Sequence, residues 1–192
     1  MEKKRCRWPG NDPLYIEYHD KEWGVPVYDD NKLFEFLILE TFQAGLSWIT
    51  ILRKRENFRK AFDGFDYKII ARYGDNKISE LLNNAGIIRN RLKILATKAN
   101  AIAFMLVQEE FDSFSNYIWS FTEGKPVVNN YNKMEDIPSN TELSDLISKD
   151  LKNRGFKFVG STVIYAHMQA TGMVNDHCID CFRYSEVQHI QK

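Results

Sequence analysis

The sequence predicts an all-α fold of roughly eight helices, and three observations carry this. Apolar residues recur at three- and four-residue spacing, helix-start signals stand ahead of several of these runs, and convincing two-residue alternation is absent. Asp29 or Asp30 can cap a helix that begins near Leu33. A further helix is expected around 46–62. Asp75 can cap one that includes Leu81 and Leu82. The clearest period is Ile88, Leu92, Leu95, Ala99, Ile102 and Leu106, which places six side chains on one stripe of one helix. Phe114, Tyr117, Ile118 and Phe121 repeat the pattern. Ser139 and Glu142, directly after Pro138, have the spacing of a capping box. Segment 122–138, with Gly124, Pro126 and Pro138, reads as a long loop, and a last helix is expected around 158–172.

The chain has 192 residues, enough for one domain with a sizeable core. We expect residues 1–185 to form it and 186–192 to be a flexible tail. Apolar residues make up 44 % and aromatic residues 14 %, a globular composition. No run approaches the ~20 apolar residues of a membrane helix. No apolar segment follows the basic start, so a cytoplasmic protein is expected. The formal net charge is zero, which speaks against a general electrostatic grip on nucleic acid but leaves room for local patches. Basic residues do gather at Arg53–Lys60, at Arg89–Lys98 and at Lys152–Lys157.

The three cysteines are Cys6, Cys178 and Cys181, an odd number that fits metal binding or catalysis better than a disulfide framework. Cys6 and His19 lie near the start, and His177, Cys178 and Cys181 near the end. Two thiolates and two imidazoles complete a closed tetrahedral zinc shell with no open position for water. The four-residue step from His177 to Cys181 suits one helical turn aimed at one ion. Cys178 competes as a ligand, because Cys178-x-x-Cys181 is itself a metal-ligand spacing. Such a zinc would tie the two ends of the chain together.

Two further features carry chemistry. Glu40 ends the run Leu33–Leu39, and an ionised carboxylate among so many apolar residues calls for a partner or a raised pKa. Trp48 offers a flat face nearby, and Tyr15 and Tyr18 offer a face with a hydroxyl, a setting that suits a cationic purine. Asn84–Arg89 contains Gly86 between two helices, where a positive φ is expected. A helix N-terminus there, with Arg89 and Arg91 beside it, has the logic of a helix-hairpin-helix phosphate contact.

The longer motifs make the chain recognisable. They are Asp12-Pro13-Leu14-Tyr15-Ile16, Tyr18-His19-Asp20, Glu22-Trp23-Gly24-Val25-Pro26, Gln43-Ala44-Gly45-Leu46-Ser47-Trp48-Ile49-Thr50, Lys54-Arg55-Glu56-Asn57, Ala85-Gly86-Ile87-Ile88-Arg89, Arg154-Gly155-Phe156-Lys157-Phe158-Val159-Gly160 and Val174-Asn175-Asp176-His177. With these the sequence resembles the 3-methyladenine DNA glycosylase I family of the helix-hairpin-helix superfamily, over nearly its whole length. The resemblance implies a glycosylase fold with one structural zinc on Cys6, His19, His177 and Cys181, leaving Cys178 outside. It implies that Glu40 and Tyr18 hydrogen-bond the adenine edge and that Trp48 stacks on the ring; Tyr15, by its face and hydroxyl, is expected in the same pocket. Loop Gln43–Ser47, with Gly45 and Leu46 at its tip, would approach the gap left by the flipped nucleotide, and Gly86 and Arg89 would hold the DNA backbone.

The expected activity is base-excision repair. Double-stranded alkylated DNA would be the substrate, 3-methyladenine the released base and an abasic site the other product, from a monomeric, monofunctional enzyme. The lesion is cationic, so its glycosidic bond is already weak and the leaving base needs no protonation. Two other classes are disfavoured. A metal-dependent hydrolase built on His19-Asp20 and Asp176-His177 needs an open metal, which a closed thiolate shell denies it. A non-catalytic DNA-binding module has little use for Glu40 in an aromatic pocket facing a polyanion. Glu109, Glu110 and Asp112 lie downstream of the hairpin as further acidic candidates.

Overall fold

The computed structural model of the protein describes residues 3–190. Among these residues the fold is helical, with ten α-helices and one two-stranded parallel pairing. Helix α1 (Pro13–Lys21) starts with Pro at its first position and Asp12 accepting from the Leu14 and Tyr15 amides. Only Tyr18 and His19 of α1 are buried, which explains why it has no visible apolar period.

Helix α2 (Asp30–Gln43) is the centre of the molecule. Asp29 caps it through the Lys32 amide, and nine of its side chains are buried on every side. A helix apolar all round belongs in a core. It packs against α3 (Trp48–Ala61), α6 (Arg91–Phe111), α7 (Phe114–Ser120) and α9 (Ser161–Ala170). Helices α4 (Tyr67–Ile70) and α5 (Asp75–Asn83) lead into the hairpin before α6. Asp75 is the first residue of α5 rather than its cap, which is Gly74, so its carboxylate favours the positive end of the helix dipole instead.

The stripe on α6 is a correction of face. The helix is present, but Leu92, Leu95, Ile102 and Leu106 point outward, Leu92 being 66 % exposed. The buried face carries Ala96, Thr97, Asn100, Ala101, Ala103, Phe104 and Val107. Small residues allow close approach, and the polar ones are satisfied. Thr97 donates to the Lys93 carbonyl, and the Asn100 amide bonds both the N–H and the carbonyl of Lys157. Periodicity marks a helix face without saying which face the core takes.

Helix α8 (Glu142–Asn153) has Thr141 and Ser144 as its capping box, not Ser139 and Glu142, because the helix begins two residues later than the sequence spacing places it. The expected long loop contains strand β1 (Val127–Val128), which pairs in parallel with β2 (Val174–Asn175). Helix α10 (Phe182–Gln188) crosses the expected tail boundary at 186, and Val187 in it is buried. Residues 191 and 192 of that tail lie outside the described residues. No described helix is long and apolar enough to cross a membrane.

The junction of α2 with α7 depends on one carboxylate. Asp30 accepts from the Gln108 amide at 2.6 Å and from the Phe114 and Ser115 backbone N–H groups at 2.9 and 2.8 Å, so it satisfies the open start of α7 from another helix. Asp30→Ala should lower the unfolding free energy by about 1.5–3 kcal/mol, the range for hydrogen bonds to a charged group. Urea denaturation measures this, and an unchanged midpoint would show that water replaces the carboxylate at no cost.

Candidate functional site

A cleft of about 220 Å³ opens between α1, the end of α2 and the start of α3. Tyr15, Tyr18, Glu40 and Trp48, the four pocket residues expected from the sequence, all line it. Trp8, Trp23, Met134 and Gln169 line it as well and were missed by sequence reasoning, and Gln43, expected only as the start of the DNA-facing loop, lines it too. Trp8 packs edge-on against Tyr15 with centroids 4.6 Å apart and against Trp23 at 5.3 Å, while Tyr18 tilts against Trp48 at 5.5 Å. The cleft is therefore walled by aromatic rings held by one another.

Glu40 is 3 % exposed, and one of its carboxylate oxygens, Oε2, has no hydrogen-bond partner. Burial pushes its pKa well above the ordinary carboxylate range. The Tyr18 hydroxyl is raised too, by burial first and by the nearby Glu40 charge second. The indole N–H groups of Trp8 and Trp48 are also buried without acceptors. Three of the residues that line the cleft thus each hold a buried polar atom with its bonding unmade. Buried polar groups are normally satisfied, so three orphans in one cleft point to a ligand with polar edges. A larger cleft of about 450 Å³ lies beyond Met134, but Lys4 and Arg5 on its wall are already paired with Asp180 and Asp20.

Behind the cleft, Cys6, His19, His177 and Cys181 are buried, and their ligand atoms lie within 4.8 Å of one another. This group could hold a metal ion. Cys181 Sγ is 3.5 Å from His19 Nε2 and 3.6 Å from His177 Nδ1, and Cys6 Sγ is 3.7 Å from His177 Nδ1. The Cys181 thiol is held far below its usual pKa, chiefly by the hydrogen bond from Cys6 and then by His177 and His19, against the effect of burial. The outward nitrogens are fixed. His19 Nδ1 meets Asp20 at 2.8 Å, Arg5 clamps that carboxylate, and His177 Nε2 meets the Trp23 carbonyl at 3.1 Å. Such partners set tautomer and ring orientation at metal sites. Gly24 has φ +77°, and a Cβ there would lie 2.9 Å from His177 Nε2, so glycine is required on both counts. Cys178 lies outside the group, its Sγ directed at Met134 Sδ at 3.6 Å. The 177–181 step is a tight turn closed by Cys181 N–H on the Cys178 carbonyl, not the expected helical turn.

Loop 44–47 is exposed, with Gly45 at φ +86° and Leu46 41 % exposed at its tip. Lys93 Nζ donates to the Phe42 and Ala44 carbonyls at 3.1 and 3.0 Å, so α6 closes the end of α2 and anchors the loop. The hairpin turn runs from Asn84 to Asn90, and Arg89 on it is exposed. Gly86 does not take the expected positive φ. It is confined by close approach instead, since a Cβ there would meet Asn84 Oδ1 at 3.0 Å and the Asn57 Cβ at 3.3 Å. Its carbonyl accepts from Lys54 Nζ at 3.2 Å, which ties the turn to α3. The carboxylates of Glu109, Glu110 and Asp112 sit at the other end of α6. A 21-residue helix is about 30 Å long, so none of them reaches a group near the hairpin.

Residues 8–184 match the profile of the Methyladenine glycosylase family. The chain is 49 % identical to DNA-3-methyladenine glycosylase 1 of Escherichia coli over 94 % of its own length and 97 % of the relative's. A crystal structure of 3-methyladenine DNA glycosylase I superposes with a TM-score of 0.91 at 50 % identity, covering 93 % of this chain and 98 % of that one. The Staphylococcus aureus enzyme, solved to explain 3-methyladenine recognition, has the same TM-score at 34 % identity and 98 % coverage of both chains. A cleft with unmade polar bonds, a buried Cys/His group and this agreement over almost the full length place the chain in the methyladenine glycosylase family.

Proposed function

We propose that the protein releases 3-methyladenine from alkylated DNA by hydrolysis and leaves an abasic site. The observation that carries this is the buried, unpartnered Glu40 carboxylate in an aromatic cleft. An anion in that position lacks a countercharge, and a flipped 3-methyladenine nucleotide supplies one. The damaged base is the easier one to extrude from the stack. Trp48 stacks on the ring, Glu40 and Tyr18 bond its polar edge, and Tyr15 closes the wall. Glu40 favours the charged nucleotide, and the aromatic walls exclude bulk water. Ordered water then adds to the sugar as the bond breaks. Among the described residues no lysine lines the cleft, which supports hydrolysis without a Schiff base.

Double-stranded DNA meets the hairpin at Gly86 and Arg89, and the Gly45–Leu46 tip enters the space the nucleotide vacates. The single helical domain works as a monomer in the cytoplasm. Three unpaired thiols suit a reducing compartment. The metal is zinc. Bonds of about 2.0–2.3 Å to imidazole and thiolate give a tetrahedron with edges of about 3.6 Å, which the 3.5–3.7 Å sulfur–nitrogen separations match. With all four positions taken by protein its role is structural.

Cys6→Ala and His177→Ala should each remove the bound ion and lower the melting temperature together, read by elemental analysis and thermal scan. A metal-free wild type of full stability would sink the zinc assignment. Arg89→Ala should reduce the slope of log affinity for duplex DNA against log salt by about 0.9, the share of one phosphate contact. An unchanged slope and affinity would move the DNA face elsewhere.

Glu40→Gln keeps the shape and removes the charge. Excision of 3-methyladenine in single turnover should slow by about 10- to 150-fold, the equivalent of 1.5–3 kcal/mol for a charge-assisted hydrogen bond. The same change should stabilise the ligand-free protein. The folded-state pKa of Glu40 is raised, so the stability linked to it is complete below the unfolded carboxylate value and is lost as pH rises towards the folded one. The advantage of Glu40→Gln should therefore be larger at pH 8 than at pH 5 in urea titrations. Wild-type excision rates with no stability gain would make Glu40 a structural residue.

A further inference from the structure

One wall of the cleft carries an amide whose orientation is dictated from behind. Gln169 lies on α9 one turn after Ala166, and both residues line the cleft. Its Nε2 donates to Asp176 Oδ2 at 2.7 Å. Asp176 is fully buried and does not line the cleft. It also accepts from the Tyr165 hydroxyl at 2.6 Å on the same oxygen and from Asn129 Nδ2 at 2.7 Å on the other. A carboxylate ringed by three donors accepts from all of them, so the NH₂ group of Gln169 must be the end turned towards it. The carboxamide oxygen is left on the cleft side, and no donor among the described residues bonds it. The backbone of Gln169 is fixed as well, its carbonyl accepting from the Gly24 N–H at 3.1 Å.

We infer that Gln169 is a specificity-determining residue that selects 6-amino over 6-oxo purines through its fixed carboxamide oxygen. This rests on the base-pocket reading above. With Glu40 Oε2 unpartnered, two residues of the cleft lining carry an unbonded acceptor, and an exocyclic amino group has two N–H bonds to give. A 6-oxo base brings an acceptor to the same place. A glutamine in solvent would turn over and offer its NH₂ group instead, but here that turn sets a carbonyl oxygen against the Asp176 carboxylate. The rejection is therefore built from a repulsive contact as well as a missing bond. Alkylated guanine and undamaged guanine are turned away by the same atom.

The test is binding of the free bases 3-methyladenine and 3-methylhypoxanthine, which differ at position 6, followed by quenching of the cleft tryptophans. Wild type should bind 3-methyladenine at least tenfold more tightly. In Gln169→Leu, 3-methyladenine should weaken by about 2- to 12-fold, the loss of one neutral hydrogen bond, while 3-methylhypoxanthine holds or improves, so that the ratio narrows. Equal binding of the two bases by wild type overturns the inference without any variant. So does an unchanged ratio in folded Gln169→Leu. Glu40→Gln in the same assay separates the two readings. If it leaves 3-methyladenine binding intact, the pocket itself is misplaced and the inference falls with it. If it weakens binding while the Gln169→Leu ratio stays put, only the role of Gln169 falls.

Discussion

Four side chains from the two ends of the sequence meet within 4.8 Å of one another, and the cleft is arranged around that meeting point. His19 belongs to α1, the helix that also carries Tyr15 and Tyr18. Cys6 stands two residues before Trp8, and His177 holds the Trp23 carbonyl through its outer nitrogen. Each aromatic wall contributed by the N-terminal segment is thus one short step from the cluster. The segment after α1 is laid along the end of α9, with Gly24 and Val27 donating to the Gln169 and Thr171 carbonyls. Further along, the Trp119 indole N–H bonds the Val27 carbonyl and Arg55 pairs with Glu22, which hold the segment to α7 and α3.

The second constraint is electrostatic. Helix α2 is buried on all sides, yet its last turn carries a carboxylate into the aromatic cleft. Local rules of folding would place an apolar residue there, and sites that break such rules are where function is expected. The unbound state holds this group at a cost, and a cationic ligand relieves it. On the function proposed above, the protein needs no separate device to sense charge. The same helix that forms the core presents this carboxylate.

Much of this was legible in the sequence, for identifiable reasons. Glu40 stood out because it interrupts an apolar run, and the Cys/His set because metal ligands are chemically distinctive. Choosing Cys6 over Cys178 needed either the family resemblance or the coordinates, since Cys178-x-x-Cys181 is an equally good spacing. Helices α6 and α7 were marked by their periods and α2 by a capping aspartate, but the buried face of α6 was not marked, because Ile94, Phe104 and Val107 are set there among alanines and bonded polar groups. Trp8 and Trp23 lie close to Cys6 and His19 in sequence, and that proximity was the only available hint that they share the cleft. Met134 and Gln169 gave no such sign. The first sits in an irregular segment, and the second is one polar residue on a buried helix whose role depends on Asp176 behind it.

Lys93 joins two features that sequence reasoning treated as separate. Its ammonium group, on the helix that follows the hairpin, holds the Phe42 and Ala44 carbonyls from which loop 44–47 springs. With hairpin and loop as the DNA face proposed above, the two share one rigid reference frame. The Leu46 tip then cannot swing towards the duplex independently of the backbone grip. Any mismatch in height between grip and tip has to be absorbed by the DNA. Bending energy varies with base step, and pyrimidine–purine steps deform most easily. A stiff protein of this design would therefore read the local compliance of the double helix before it meets a base, and soft neighbours would bring a lesion within its reach.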